Sequence, residues 1–266
     1  MREEHRPARA QRTLHQKKKY MKNLPGTETP IVGQISKVHR TFSEKVPLGP
    51  ARVIIHPAQS SFYNMAVDEA LLRLCQMPVL RFYRWSEPAV SIGYFQSHTL
   101  VPAGRPFVRR YTGGGLVDHA ADFTYSLIIP KEHPLYVAGT ARSYETIHHA
   151  IMRGLQDAGV VAELAEMNAE REHPACFQKP VKFDILADGN KLAGAAQRRT
   201  REACLHQGSI LVSNISFEKL VQFLKPFLLQ TLEAISREDQ LSSKEINRAL
   251  MLEKERYSTF EWNQWK

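Results

Sequence analysis

The sequence is poor in cysteine, with three in 266 residues. That is too few for a disulfide framework and suits a reducing, cytoplasmic compartment. No stretch approaches the roughly 18 consecutive apolar residues of a membrane-spanning helix, which argues against a membrane protein. Residues 1–22 lack the apolar core of a secretory leader, and Glu3 and Glu4 disfavour an organellar transit peptide. Internal repeats, a CxxC pair, the dinucleotide pattern GxGxxG and the phosphate loop GxxxxGK[ST] are all missing. The apolar and charged fractions, 43% and 24%, are those of a globular protein.

Charge of one sign is present but localised. Of the formal net charge of +9, residues 1–22 carry +6, from eight Lys or Arg against two Glu. The other residues are nearly balanced, so nucleic acid is not an expected partner. The basic stretch has no apolar periodicity and reads as a disordered, solvated tail. Residues 23–50, rich in Pro, Gly, Ser and Thr, read as a linker or irregular wrap.

From residue 51 the pattern becomes that of a folded domain. Strands are expected at 51–56, 79–85, 89–94, 106–111 and 123–129. Helices are expected after a serine cap at Ser60 or Ser61, and at 144–159. A further helix at 217–229 should be interrupted at Pro226, and a last one should follow a cap at Ser242 or Ser243. In that last segment Ile246, Ala249, Leu250 and Tyr257 are expected to face inward, while His148 and His149 read as a surface pair. Strands with few helices, then helices at the end, predict an α+β fold with a mixed or antiparallel sheet. Residues 51–214 would be the catalytic domain and 215–266 a helical extension packed on it.

The stretch that carries chemistry is 176–212, CFQKPVKFDILADGNKLAGAAQRRTREACLHQGSILV. Residues 183–187 alternate as a half-buried strand, and Asp188, Gly189 and Asn190 supply turn residues. Residues 191–197 return as a strand of small residues that lets a ligand approach the backbone, and 206–212 supply a third strand. Cys176 can act as a nucleophile if a nearby ammonium lowers its pKa. Lys191 can offer that ammonium or stabilise charge on an acyl oxygen. Earlier in the chain, Arg109 and Arg110 precede Gly113, Gly114 and Gly115, with His119 just beyond. Three glycines let backbone N–H groups converge on an anion or a carbonyl oxygen, and arginines add planar donors. His173 and Cys176 with Cys204 and His206 have residue types that suit zinc, but their spacings differ and no metal is expected.

Together these residues resemble the lipoate–protein ligase and octanoyltransferase family, relatives of the biotin–protein ligases. The resemblance covers about residues 51–230 and rests on SSFYNMAVDEALL, LRFYRWSEPAVSIGYFQ, RRYTGGGLVDH, DFTYSLIIP, FDILADGNKLAGAAQRR and LHQGSIL in that order. It implies a twisted, mostly antiparallel or mixed sheet packed with helices, of biotin/lipoate-ligase type, with the acyl chain held beside the glycine loop. Lys191 matches the lysine that contacts the acyl carbonyl. Cys176-Phe177-x-x-Pro180 and the ending YSTFEWN look like the cysteine-dependent transferases. Ligases often carry Asn-Asp where this chain has Phe183-Asp184, which weakens a metal–nucleotide role for Asp184.

The implied activity is transfer of an octanoyl or lipoyl group from acyl carrier protein, through a Cys176 thioester, to a lysine of a lipoyl carrier domain. That acceptor would be a glycine-cleavage H-like protein or a dehydrogenase E2. Arg109, Arg110 and the glycine loop would line the acyl or phosphopantetheine side. Asp184, Gly194, Ala195, His206 and Gly208 complete the expected substrate site, and His119 and His206 are both candidates for the base. No cofactor is expected, nor is an oligomer. The alternatives are an amidotransferase between lipoyl carriers, an ATP- and Mg-dependent ligase, and a non-catalytic binding module using the basic tail.

Overall fold

The computed structural model describes residues 49–167 and 180–265. The chain divides into two units, Met1–Lys45 and Val46–Lys266, and everything described belongs to the second. The expected tail at 1–22 and most of the 23–50 linker lie outside the described residues.

The first strands are β1 (Gly49–Ile55), β2 (Val79–Tyr83), β3 (Val90–Ile92), β4 (Phe107–Arg109), β5 (Val117–Asp118) and β6 (Phe123–Pro130). They are followed by β7 (Glu163–Leu164), β8 (Ile185–Ala187), β9 (Asn190–Arg199), β10 (Ala203–Ile210) and β11 (Ala234–Glu238). The helices are α1 (Ser61–Arg73), α2 (Pro134–Val137), α3 (Gly139–Asp157), α4 (Phe217–Thr231), α5 (Ser243–Leu252) and α6 (Phe260–Asn263), with a π-helical turn at Glu253–Tyr257. Eight strands form one sheet in the order β11-β1-β2-β6-β10-β9-β8-β7, and β4-β3-β5 form a small second sheet. β1 runs parallel to β2 and β11, and the rest of the large sheet is antiparallel. The expected α+β, mixed-sheet class is the one observed.

Both faces of the large sheet are covered. Ile147, Ile151 and Leu155 of α3 and Leu220, Leu224 and Leu228 of α4 pack on one face. Met65, Val67, Leu71 and Leu72 of α1 pack on the other, with Ala249 and Leu252 of α5. Hence β2 and β10 are buried at every position, polar residues included. Burying a charge is costly unless it is paired. Arg81 and Asp68, both fully buried, meet at 2.7 Å. Arg81 also donates to Asn64 Oδ1, and Asp68 accepts from the hydroxyls of Tyr83 and Ser126.

Several boundaries and faces differ from expectation. Gly49 and Pro50 begin β1 instead of ending a linker. Helix α4 continues through Pro226, which sits on its exposed side while Leu220, Leu224 and Leu228 stay buried. Packing on α3 thus holds the helix together despite the lost N–H. In α5 the buried face is Glu245, Ala249 and Leu252, so Ile246 and Leu250 point outward, while Tyr257 is inward as expected. The cause is polar: Glu245 closes a capping box with Ser242 and accepts from Arg52 at 2.5 Å. Strand β11 had no sequence signal because it is exposed along nearly its whole length.

His149 is exposed but its neighbour His148 is fully buried, so the two are not a surface pair. His148 Nδ1 donates to the Phe183 carbonyl at 2.7 Å, and burial lowers its pKa to about 4. His206, also on this face, sits between Tyr125 and Gln197. Burial holds it well below 6.5. The unfolded chain protonates both near pH 6.5, whereas the folded chain resists. Stability is therefore full above that pH and falls as pH drops below it, with a slope that approaches one proton for each histidine. Urea midpoints measured from pH 7 to pH 5 should show this slope, and His206→Gln should reduce it by about one proton. A pH-independent midpoint would contradict the burial of both rings.

Candidate active site

β9 and β10 pair with Gly194 opposite Ser209 and Ala196 opposite Gln207, so these four residues share one face. On that face a cavity of about 170 Å³ lies between the large sheet and the glycine loop. Its floor reaches from Gly194 and Ala196 on β9, past Gln207 and Ser209, to Thr124 on β6 and Tyr83 on β2. At the usual strand spacing this crosses roughly 14 Å. Met65, Trp85, Val117 and Val181 make much of the remaining wall apolar.

At the β9 end stands Lys191. Ile185 pairs with Ala193 but Leu186 with Lys191, so β9 carries an extra residue, a bulge of the kind that re-aims side chains. Lys191 folds back over Gly194, where an added Cβ would lie 2.4 Å from Cε and 2.6 Å from Nζ. Its amine meets Asp184 Oδ2 at 2.8 Å. Asp184 is fully buried; it also accepts the Val181 N–H at 2.8 Å and the Tyr144 hydroxyl. That hydroxyl accepts the Ala195 N–H at 3.0 Å. Burial and Asp184 hold the Tyr144 phenol well above its usual range, so it stays a donor. The ammonium is thus oriented by a carboxylate that two other donors fix in place.

The opposite wall is the glycine loop. Gly93 lies so close beneath it that a Cβ there would be 2.0 Å from the Gly114 carbonyl. Arg110 supports the loop from inside, donating to the Gly113 and Gly115 carbonyls at 2.8 Å and to Ser91 O and Oγ. Burial pushes its pKa down to about 10. At the far end, His119 stacks on Trp85 with ring centroids 3.9 Å apart. Asp122, accepting from Thr124 and Ser209 hydroxyls, also accepts the His119 Nδ1–H at 2.7 Å. This tautomer leaves Nε2 to accept the Ser91 hydroxyl at 2.7 Å. Gln207 is held between Asp68, to which it donates at 2.7 Å, and the Thr112 hydroxyl.

Of the residues expected from the sequence, Arg110, Gly114, Gly115, His119, Lys191, Gly194, Ala195 and Gly208 line one cavity. Gly113 supports the loop, and Asp184 acts through Lys191. Two expectations are corrected. Arg109 points away from the cavity and donates to the carbonyls of Gly93, Tyr94, Gln96, Trp262 and Asn263. It is the fastener of the C-terminal segment, because a buried guanidinium must fill its donors. His206 faces α3, across the sheet, since it alternates with Gln207 along β10. His119, the other candidate base, has both ring nitrogens occupied. Cys176 and His173 lie outside the described residues. Among those described, no group of three His, Cys, Asp or Glu could hold a metal. Burial pushes Cys204 up to about 11 and Cys75 up to about 12, so neither is a thiolate at neutral pH. Tyr144 and Gln207 were missed; Tyr144 signals itself only as the i−4 neighbour of His148.

Residues 60–237 match the family model for the lipoyl protein ligase A/B catalytic domain. The chain belongs to that family. Among curated relatives in this family, an octanoyltransferase LipM of Brevibacillus brevis is 36% identical over 180 residues, 60% of this chain and 65% of that protein. One from Staphylococcus epidermidis is 32% identical, covering 68% of this chain and 72% of its own length. The chain therefore spans about two thirds of the length of such relatives. Among solved structures, protein Ta0514 of T. acidophilum with bound lipoic acid superposes with a TM-score of 0.69 at 27% identity, over 82% of this chain and 99% of that one. A lipoate-protein ligase A bound with ATP gives 0.66 at 26% identity, over 82% and 98%.

The seat of Lys191 over Gly194 can be tested without turnover. Gly194→Ala should displace the lysine from Asp184 and, by leaving a buried carboxylate without its ammonium, should cost about 3 kcal/mol of stability. Amine-selective labelling read by peptide mass spectrometry should then rise at Lys191. Unchanged labelling in a folded variant would show that the lysine does not depend on that glycine.

Proposed function

We propose that the protein transfers an octanoyl group from the thioester of an acyl carrier protein to a lysine of a lipoyl carrier domain, in lipoate biosynthesis. The observation that carries this reading is a largely apolar cleft crossing four strands with a carboxylate-held primary amine at one end. Similarity to octanoyltransferases LipM supports the choice of acyl group. In the first step the Cys176 thiolate attacks the thioester carbonyl. A new C–S bond forms at Cys176, the old one breaks, and the donor leaves as a thiol, taking up the proton that the Cys176 thiol gave up. In the second step the acceptor lysine, as a neutral amine, attacks the acyl-enzyme; an amide forms and the Cys176 thiol is restored. Both steps pass through an oxyanion, which Lys191 Nζ would stabilise by donating to it.

Exchanging a thioester for an amide is downhill, so this reading needs neither ATP nor Mg. Asp184 supports the same view: its oxygens are taken by Lys191, Tyr144 and the Val181 N–H instead of facing the cleft. Glycine-cleavage H-like protein and dehydrogenase E2 domains are the acceptors to try. Likeness to an ATP-bound ligase favours a second reading, activation of free acid by ATP.

Intact-mass spectrometry after incubation with octanoyl carrier protein should show one octanoyl adduct on the wild type and none on Cys176→Ala. Transfer by the variant should drop more than about 1,000-fold. An adduct that survives the substitution removes the thiol from the mechanism. Pyrophosphate release with ATP and octanoate would establish the ligase, and octanoyl H-like protein as the better donor would establish an amidotransferase.

A further inference from the structure

Four arginines surround the glycine loop, and three are consumed. Arg109 is filled by five carbonyls, Arg110 by Ser91 and the loop, and Arg256 by Glu69 at 2.5 Å. Arg198 is different. Its Nε is buried without an acceptor, and it forms none of the ion pairs among the described residues. Its one hydrogen bond is a 3.5 Å contact to the Tyr111 hydroxyl, at the limit of what counts. The guanidinium is instead held in place by two rings, with its carbon 4.3 Å from the Tyr111 centroid and 5.2 Å from that of Tyr94. Stacking fixes a guanidinium plane while leaving its edge donors for an anion.

Its position says which anion. Strand alternation puts Arg198 on the face of Gly194 and Ala196, which line the cleft. Tyr111 leads directly into the glycine loop, whose Gly114 would carry a Cβ 3.4 Å from Ala196. Lys191 Nζ rests at the level of Gly194, so Arg198 lies four residues further along β9, roughly 13 Å. An acyl adenylate has its phosphate bonded directly to the acyl oxygen, which places that phosphate beside Lys191. A carrier-borne thioester has its phosphate at the far end of a pantetheine tether. We propose that Arg198, stacked on Tyr94 and Tyr111, is the subsite for the phosphate of the donor's phosphopantetheine arm. This rests on the thioester reading above and assigns to Arg198 the part the sequence suggested for Arg109 and Arg110.

The test compares octanoyl-pantetheine with octanoyl-phosphopantetheine, the same thioester without and with the phosphate, and adds octanoyl adenylate. Wild type should favour the phosphorylated thioester about tenfold in kcat/KM, the size of a charge-assisted contact. Arg198→Gln should erase that preference while leaving octanoyl-pantetheine within about twofold, and Arg198→Lys should restore part of it. Equal use of both thioesters by wild type overturns the subsite. So does an equal loss on both in Arg198→Gln, or a loss confined to the adenylate. Binding of phosphopantetheine against pantetheine, followed by calorimetry on both proteins, separates this from the parent reading. If no thioester is turned over but the phosphate still tightens binding only when Arg198 is present, the subsite stands and the transfer reaction falls. No phosphate-dependent binding overturns the subsite itself.

Discussion

The site depends on one ion pair placed by one irregularity. The bulge in β9 turns Lys191 back over Gly194 and onto Asp184. Without the extra residue, the period-2 alternation of a strand would aim that side chain elsewhere. Asp184 draws an ammonium on a long flexible stem to within 2.8 Å of a fixed carboxylate. Asp184 is itself immobilised by Tyr144 and the Val181 N–H. A helix on one face of the sheet therefore helps to orient an amine that lines the cleft on the other.

The cleft is cut into a sheet that is buried on both faces, and this sets a second constraint. Buried polar side chains in and behind its walls need hydrogen-bond partners. Asp68 meets that need for Arg81, Tyr83, Ser126 and Gln207, and Asp122 does so for His119, Thr124 and Ser209. These hubs turn polar residues into fixed walls, leaving Lys191 as the cation at the β9 end of an otherwise largely apolar space.

The C-terminal segment belongs to the same construction. Trp262 Nε1 donates to the Arg109 carbonyl, Asn263 Oδ1 accepts its N–H, and the guanidinium returns to the Trp262 and Asn263 carbonyls. Arg109 also holds the carbonyls of Gly93, Tyr94 and Gln96, so the chain end is tied to the floor under the glycine loop. Tyr257 reinforces this by donating to the buried carboxylate of Glu69 on α1. The last residues are far from the cleft in sequence and adjacent to its supports in space.

Much of this protein was legible from local pattern alone. Turn residues marked the β8–β9 hairpin, small residues marked β9, serines marked the caps at Ser60 and Ser242, and linked motifs marked the lipoyl ligase family. These features depend on neighbours in sequence, so the sequence by itself determined them. Arg109 and Arg110 read alike as adjacent arginines beside three glycines, yet one fastens the C terminus and the other braces the loop. His206 and Gln207 read as one motif but face opposite sides of the sheet. His148 looked like a surface residue until α3 was laid against Phe183. Which side chain meets the cleft, and which is used up inside, follows from strand register, a bulge and the pairing of buried charge. Those are relations between residues distant along the chain, and only the tertiary structure decides them.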